Sequence, residues 1–375
     1  MKEIKYVLGS QWGDEGKGKT VQYLCQKAIG EGKKPLVIRY CSGPQASHTV
    51  IHDGITHVCS SFGSGVLIGV PTLINCIYQT LIDPIALKVE YEVLQQKGII
   101  PIYDYSKCDL ITPYDVIANR QNKESLANGT CGCGIWETIN RIDKLGFFGF
   151  NINSEEALDK ARKFYNFEKQ EELEKEFIDA LEFLNKHRTI LDINNYNVLI
   201  MESSQGLLLD GHYGLKPYTT PCYIGPMRTT HRLTQFWWNI DNNVDYEIYL
   251  CTRTYTTRHG AGYIPTKSDY IKLPDFEANK DNQYQGEFKT GILDIDMINR
   301  GIDRHCLDNL ENCKFNLVIN HMDCVGPMFE YIKDNRIHII PGFNTIKTIQ
   351  HNIQLEFNKV LWGDSPEYIF HELDE

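Results

Sequence analysis

A glycine-rich stretch near the start of the chain lies between a short apolar run and a helical pattern. Residues 4–9, IKYVLG, have the composition of a buried strand, and residues 17–32, KGKTVQYLCQKAIGEG, have helical periodicity. A strand, a glycine-rich turn and a helix in this order direct backbone N–H groups at an anion. The stretch is not a Walker loop, because six residues separate Gly9 from Gly16 and Gly18 stands where a hydroxyl is needed. It predicts a phosphate site of another kind.

Two acids, Asp14 and Glu15, lie inside this loop. Lys17 adds a positive charge, and a carboxylate beside that positive cradle is stabilised as the anion. Such a carboxylate can take a proton from a substrate or bind Mg²⁺. The alternative is a plain helix start in which the acids favour the helix dipole. The glycines that allow a phosphate to approach the backbone closely are Gly13, Gly16 and Gly18.

Short β-rich runs recur along the chain, and most of them are continuous rather than alternating, which is typical of strands buried on both faces of a parallel sheet. The runs are residues 4–9, 34–40, 196–202, 246–255, 315–323 and 336–343. Residues 154–187 are charged and helical in pattern, which predicts two amphipathic helices that cover the core. We therefore expect an α/β fold with a mostly parallel central sheet flanked by helices. The prediction is one domain, 1–375, with a helical insertion at about 154–188.

Composition limits the classes of partner. The chain has 375 residues, of which 42% are hydrophobic, and a net charge of −11. This charge argues against nucleic acid and anionic membranes as partners. The N-terminal residues do not resemble a secretory signal, so the twelve cysteines are interpreted as reduced thiols of a cytoplasmic protein. Cys131 and Cys133 form the one close pair, and their spacing favours a glycine-rich loop over a zinc site.

The loop G-S-Q-W-G-D-E-G-K-G-K resembles the opening signature of the adenylosuccinate synthetase family, whose fold is a P-loop-type nucleotide-binding α/β fold. Further stretches are similar to that family's motifs and follow in its order. They are YCSGPQASHTV (40–50), NGTCGCGIW (128–136), MESSQGLLLDGHYGLKPYTT (201–220), YTTRHGAGYIPT (255–266), TGILDI (290–295) and INHMD (319–323). The resemblance therefore extends from residue 4 to about residue 323.

The resemblance implies a ligase that uses GTP and Mg²⁺. In the family reaction, a purine 6-oxo group attacks the γ-phosphate of GTP, and an amine then displaces the phosphate. By position, Asp14 takes the N1 proton and holds Mg²⁺ with Ser47, His48 acts as the acid, and Lys17 bridges phosphates. Phosphoryl transfer depends mostly on charge neutralisation and alignment, which suits these residue types. For His48, the alternative is a satisfied core histidine.

The remaining roles implied by the resemblance divide between the two nucleotides. The GTP side would include Gly13, Glu15, Gly16, Gly18, Lys19, Thr49, Lys289, His321, Asp323 and Ser365. The side of the purine monophosphate and the amine would include Gln45, Thr130, Cys131, Arg141, Gln205, Thr220, His259 and Glu287. In this scheme Asp323 accepts hydrogen bonds from both N–H donors of guanine. Arg141 would come from a second subunit of a homodimer.

The sequence departs from the family pattern at several of these positions. Gln45, Ser47, Cys131, His259 and His321 replace the family's Asn, Gly, Thr, Val and Lys, as Pro44 replaces its first His. These changes suggest a reshaped nucleotide pocket.

The largest departure is YQGEFKTGILD (284–294), where the family has an arginine-rich loop. The arginine that clamps the aspartate carboxylates falls on Glu287, and another that helps to hold GTP falls on Lys289. Either Lys280, Lys289 or Arg258 supplies the positive charge, or the amine donor is not aspartate. Glu287 could also point to solvent.

The default prediction is adenylosuccinate formed from IMP and L-aspartate. One alternative is a specialised paralogue, as in phage-type 2-aminoadenine nucleotide synthesis, that uses GMP, dGMP or another amine. The other is a nucleotide-binding protein without ligase activity, which the presence of Asp14, Lys17 and His48 disfavours.

Overall fold

The computed structural model describes residues 2–41, 43–74, 80–105, 108–146, 154–226, 244–267, 270–271, 281, 284–310, 312–364 and 370–373. The strands are β1 Lys2–Gly9, β2 Pro35–Arg39, β3 His48–His52, β4 Ile55–Cys59, β5 Thr72–Ile74, β6 Leu81–Ile82, β7 Tyr103–Asp104, β8 Asp109–Leu110, β9 Val198–Gly206, β10 Val244–Arg253, β11 Tyr255–Arg258, β12 Lys289–Asp294, β13 Cys313–Asn320, β14 Met328–Lys333, β15 Arg336–Pro341, β16 Lys359–Trp362 and β17 His371–Glu372. The α-helices are α1 Lys17–Gly30, α2 Pro84–Gln96, α3 Pro113–Gln121, α4 Lys123–Asn128, α5 Ile135–Leu145, α6 Ser154–Tyr165, α7 Glu171–His187, α8 Ile295–Arg304 and α9 Thr345–Asn352.

A nine-stranded sheet forms the centre of the fold, in the order β17-β16-β13-β10-β1-β9-β2-β5-β7. Every pair in it is parallel except β16 and β17. In β1, Tyr6 and Leu8 join one hydrophobic core, while Val7 points to the opposite face and packs with Val21 and Leu24 of α1. Burial on both faces explains why the run is continuously apolar. The predicted mostly parallel α/β fold is confirmed.

The run at 336–343 forms a strand as predicted, but this strand does not belong to the central sheet. Its strand, β15, pairs antiparallel with β14 at one side of a four-stranded sheet, in the order β11-β12-β14-β15. Ile337 and Ile339 are 52% and 50% exposed. An apolar run of this length does not reveal by itself which sheet it joins, since periodicity reports local burial only.

The two helices predicted over 154–187 are α6 and α7, separated by residues 166–170. The apolar stripe of α7, which includes Phe177, Leu181 and Leu184, is buried in a second core with Leu87 and Tyr91 of α2. Because the helices are buried on one side only, they cover the core and expose their other faces to solvent, as predicted. That they form an insertion within a single domain remains a prediction. Among the described residues, the structure has no helix that combines the length and the apolar character of a membrane span.

The carboxyl ends of the central parallel strands lie at one edge of the sheet. β1 leads into the loop at 10–16, β2 into residues 40–47, and β13 into His321. Open parallel sheets bind their ligands at this edge, where loops from neighbouring strands converge. Motifs that are far apart in the sequence therefore meet at one place.

Candidate functional site

Gly16, at the end of the glycine-rich loop, is packed too closely against Asn320 to carry a side chain. Gly16 has φ 80°, in the left-handed region, and precedes α1. A Cβ at Gly16 would lie 2.5 Å from the side-chain nitrogen of Asn320, which donates to the Glu15 carbonyl at 2.8 Å. Glycine is required here both by the backbone angle and by this close packing.

The Glu15 carboxylate is buried against the loop backbone and does not line the cavity described below. One oxygen accepts from the backbone N–H groups of Gln11 at 3.0 Å and Gly13 at 2.8 Å. The other accepts from the Lys17 ammonium at 2.9 Å, and both side chains are almost fully buried. Burial alone would raise the pKa of Glu15, but the charge and hydrogen bonds of Lys17 hold it below its usual value. The Glu15 side chain therefore stabilises the loop, and the predicted contact of Glu15 with GTP stays a prediction.

Asp14, by contrast, presents its carboxylate to a cavity. Its φ of 64° is in the left-handed region, which Asp tolerates better than most residues. Its carbonyl accepts from the Arg253 guanidinium, and the Thr257 hydroxyl donates to the carbonyl of Gly13 at 3.0 Å. One Asp14 carboxylate oxygen lies 3.4 Å from Nε2 of His259. The loop backbone is thus tied to the segment that follows β10.

His48 is held from behind by a buried carboxylate. Its Nδ1 lies 2.5 Å from Glu202, whose carboxylate also accepts from Arg39 at 3.1 Å. Ser64 donates to Glu202 through both its backbone N–H and its hydroxyl. Nε2 of His48 is buried and has no hydrogen-bond partner among the described residues. Since His48 lines the cavity, this nitrogen is the polar atom that a bound ligand can meet.

The pKa values of Glu202 and His48 depend on their burial and on the charges of their neighbours. Burial would raise the pKa of Glu202, but Arg39 and His48 lower it to about 2. Burial lowers the pKa of His48, and Arg39 acts in the same direction, while Glu202 opposes both. Glu202 therefore stays ionised beside Nδ1, which Arg39 also approaches to 3.1 Å, and Nε2 is the ring nitrogen without a hydrogen-bond partner among the described residues.

The cavity has a volume of about 400 Å³ and is lined by residues from many of the predicted motifs. The predicted residues that it brings together are Asp14, Gln45, Ser47, His48, Thr49, Thr130, Cys131, Gln205, Thr220 and His259. Their loops follow different strands and helices, and the parallel sheet places them together. A cavity of this size with convergent polar groups is typical of a small-molecule site.

The residues predicted to recognise guanine lie away from this lining. Asp323 follows β13 and is exposed, and its pKa is raised by partial burial and by Asp364. The His321 carbonyl accepts from Thr254 at 2.8 Å. Lys19 lies close enough for the charges of Asp323 and Asp364 to affect it. Ser365 lies outside the described residues.

Lys19 supports a pH prediction for nucleotide binding. Burial lowers the pKa of Lys19 to about 8, although Asp364 and Asp323 act in the opposite direction. The ammonium is charged below this pH and neutral above it. If Lys19 faces the phosphates of GTP, the dissociation constant of GTP should rise between about pH 7 and pH 9. The Lys19→Arg variant keeps its charge, so its binding should stay constant; an equal rise in both proteins would contradict the assignment.

Arg141 is directed into the interior of its own subunit. It is fully buried on α5, where it donates to both carboxylate oxygens of Asp115, at 2.9 and 3.0 Å, and to the Leu110 carbonyl. Tyr165 donates to the same carboxylate at 2.8 Å. The guanidinium therefore supports the interior of its own subunit, and the predicted phosphate contact across a dimer interface stays a prediction.

We expect Arg141→Met to lower the free energy of unfolding by about 3–5 kcal/mol, since it leaves the Asp115 charge buried and without its main partner. Urea denaturation measures this change. Arg336→Met is the matched control, because Arg336 is exposed on β15 and its loss should change stability by less than about 0.5 kcal/mol. An Arg141→Met protein as stable as the wild type would exclude the structural role.

The segment that replaces the arginine-rich loop contributes little to the cavity. Glu287 is exposed and does not line the cavity, while Gln285 does. Lys289 donates to the Gly260 carbonyl at 2.8 Å. Arg258 lines the cavity but donates to the carbonyls of three residues, Ala261, Tyr263 and Tyr218. Lys280 lies outside the described residues. Both described cations thus support the backbone of this region.

Comparisons with known proteins agree with this geometry. The family model described as adenylosuccinate synthetase matches residues 6–354. The chain belongs to the adenylosuccinate synthetase family. The adenylosuccinate synthetase of Flavobacterium psychrophilum is 31% identical over 295 residues, which are 70% of this chain and 66% of the relative. That of Alteromonas mediterranea is 30% identical over 297 residues, which are 70% and 64%. The chain therefore spans just under two thirds of the length of these curated relatives.

Two solved structures share the adenylosuccinate synthetase fold. The fully ligated adenylosuccinate synthetase of Plasmodium falciparum matches with a TM-score of 0.73 and 16% identity, over 97% of this chain and 98% of that one. The succinoaminodeoxyadenylate synthetase of cyanophage S-2L, bound to dGMP and dATP, matches with a TM-score of 0.66 and 15% identity, over 98% and 94%. At these identities the likeness concerns the fold alone.

Sequence reasoning missed Glu202 and Arg39 as functional residues of this adenylosuccinate synthetase-family chain. Arg39 ends β2, and Glu202 lies opposite it in the middle of the neighbouring strand β9. A charged residue within an otherwise apolar buried strand is the signal that could have revealed them. Asn320 and Arg253 were missed for the same reason. Each ends a central strand and supports the glycine-rich loop.

The residues present fit the magnesium ion that the family implies. Mg²⁺ prefers oxygen ligands and usually binds through one or two carboxylates together with substrate phosphates. Asp14 provides a carboxylate on the cavity, and Ser47 lines the same cavity. These two residues would hold the ion.

Proposed function

We propose that the chain is a GTP-dependent ligase that forms a C–N bond at C6 of a purine nucleotide, with IMP and L-aspartate as the default substrates and adenylosuccinate as the product. Family membership supports the reaction class. The observation that carries the proposal is the Asp14 carboxylate and the unpartnered Nε2 of His48 lining one cavity. A base and an acid at a shared site are what phosphoryl transfer to an oxo group requires.

In this mechanism Asp14 accepts the N1 proton of the purine while O6 attacks the γ-phosphorus of GTP and GDP leaves. His48 donates a hydrogen bond from Nε2 to the transferring phosphoryl group. To donate, the ring must carry a proton on Nε2. The negative charges of Glu202, beside Nδ1, and of the phosphate, beside Nε2, stabilise that protonated ring. A Mg²⁺ ion held by Asp14 and Ser47 would neutralise phosphate charge. The amine then attacks C6 and phosphate leaves.

The other lining residues bind the nucleotides in this proposal. Thr130, Cys131 and Thr220 face the 5′-phosphate with Gln45, and Gln205 faces the purine. Asp323 accepts from the guanine of GTP. A homodimer and a cytoplasmic location also remain predictions.

A specialised substrate is the second candidate, and one observation favours it. Glu287 stands where the family clamps aspartate, and Arg258 and Lys289 already donate to backbone carbonyls. A donor without a second carboxylate would need no such clamp. The cyanophage enzyme with the same fold is bound to dGMP and dATP, so dGMP and an adenine energy donor belong in the test.

Product mass spectrometry tests both candidates. The purified protein is mixed with Mg²⁺, with GTP or ATP, with IMP, GMP or dGMP, and with the twenty amino acids and ammonia. A succinyl adduct of IMP alone supports the default reaction, and any other adduct identifies the donor and the nucleotide. Nucleotide binding without turnover or adduct would instead indicate a binding protein. Consumption of the energy donor without an adduct would place the amine outside the pool.

A further inference from the structure

We propose that His259 is a positioning residue for Asp14, a role for which the family pattern has no equivalent because a valine occupies that position. The inference rests on the proposed function through the part that Asp14 plays in it. Nε2 of His259 lies 3.4 Å from a carboxylate oxygen of Asp14. The two side chains are 20% and 22% exposed, and both line the cavity.

The backbone places these two side chains together by contacts that do not involve either of them. The Arg253 guanidinium donates to the Asp14 carbonyl, and the Thr257 hydroxyl donates to the Gly13 carbonyl at 3.0 Å. Both donors lie shortly before His259 in the chain. These hydrogen bonds join the segment before His259 to the loop that contains Asp14. The short distance between the two side chains therefore follows from the backbone fold.

The imidazole is also packed on its other side. Its ring lies 4.9 Å from the Phe288 ring, at 40°. The next residue, Gly260, has φ 73°, and its carbonyl accepts from Lys289 at 2.8 Å. The ring thus lies near both an aromatic side chain and Asp14, which limits its rotation. A side chain confined in this way can orient a neighbour at little further entropic cost.

An N–H group facing one oxygen of a carboxylate leaves the second oxygen for the substrate. Without that donor the carboxylate can rotate, and Asp14 would lose part of its alignment toward N1. Catalytic hydrogen bonds are often long before the substrate binds and shorten in the complex, which fits a contact of 3.4 Å. Groups that orient a reactive residue typically contribute about 10–100-fold to activity.

The kinetic test compares three variants. His259→Leu removes the donor, and His259→Gln retains an N–H group at a similar reach. We expect His259→Leu to lower kcat by about 10–100-fold, with the KM of the nucleotide unchanged within about threefold, and His259→Gln to restore most of the loss. His52→Leu is the matched control, because Nε2 of His52 also lies 3.4 Å from an aspartate, Asp53, and does not line the cavity.

A spectroscopic test does not depend on turnover. In ¹H–¹⁵N spectra of the imidazoles, we expect His259 to carry a proton on Nε2 and its signals to shift in Asp14→Asn but not in Asp53→Asn. A wild-type protein that neither consumes the energy donor nor forms an adduct would refute the proposed function, and these spectra would still decide the contact.

Three results would overturn the inference. The first is His259→Leu with wild-type kcat, or His259→Gln as impaired as His259→Leu. The second is a loss confined to the KM of the amine, which would make His259 a donor-binding residue. The third is an Nδ1-protonated ring whose signals do not respond to Asp14→Asn.

Discussion

Replacing Asp14 with Asn should lower kcat by about 10³-fold while the protein folds normally. A general base contributes about 10²–10⁴-fold, and an amide can neither accept the N1 proton nor replace a charged magnesium ligand. Asn tolerates the left-handed backbone at this position, where φ is 64°, as well as Asp does. The fold should therefore survive the change. Steady-state kinetics and the unfolding midpoint measure the two effects separately.

Asp53→Asn is the control for this substitution. Asp53 also has a left-handed backbone, with φ 48°, and a histidine 3.4 Å from its carboxylate, but its side chain is 83% exposed and outside the cavity. We expect wild-type kinetics for it. If Asp14→Asn kept kcat within about tenfold of the wild type, a different base would have to act.

His48→Asn should also lower kcat by about 10²–10⁴-fold. The asparagine amide can still donate to Glu202 in place of Nδ1, so the buried carboxylate keeps a partner. The variant lacks an atom at the position of Nε2, which is the nitrogen that faces the cavity. The loss should therefore appear in kcat, with little change in the free energy of unfolding.

The matched control is His57→Asn. His57 is likewise buried and lies 3.3 Å from a carboxylate, that of Glu90, but it does not line the cavity. Its substitution should leave kcat of the folded enzyme unchanged even if stability falls. If His48→Asn and His57→Asn lowered kcat equally, the loss would follow from damage to the fold. His48 would then have no specific part in the reaction.

The residues that the sequence predicted well are those whose role depends on local pattern. The apolar runs of β1, β9, β10 and β13 required burial on both faces, and the glycines of residues 13–18 required a tight loop before α1. Both properties follow from short-range sterics and hydrophobicity. The match of motif order to the adenylosuccinate synthetase family then indicated which acid and which histidine to place at the cavity.

Predictions about the direction of a side chain were less reliable. Glu15 and Arg141 are charged residues within or near family motifs, yet the structure points both into the interior, where Lys17 and Asp115 neutralise them. Residues 336–341 have a strand composition but join the smaller sheet. Lys17 lies only two positions from Glu15 and β14 directly precedes β15, whereas Asp115 lies 26 positions from Arg141. In each case the packing of the surrounding elements decides the direction, and a local window does not contain that packing.

The sequence by itself determined that this chain forms a parallel α/β sheet, that a glycine-rich loop ends its first strand, and that Asp14 and His48 are the candidate catalytic groups. Only the tertiary structure decided what holds those groups. Glu202 meets His48 across 154 positions of sequence, and Arg253 meets the Asp14 backbone across 239. The strand order of the central sheet brings these residues together, because parallel neighbours bring their carboxyl ends to one edge however far apart they are in the chain.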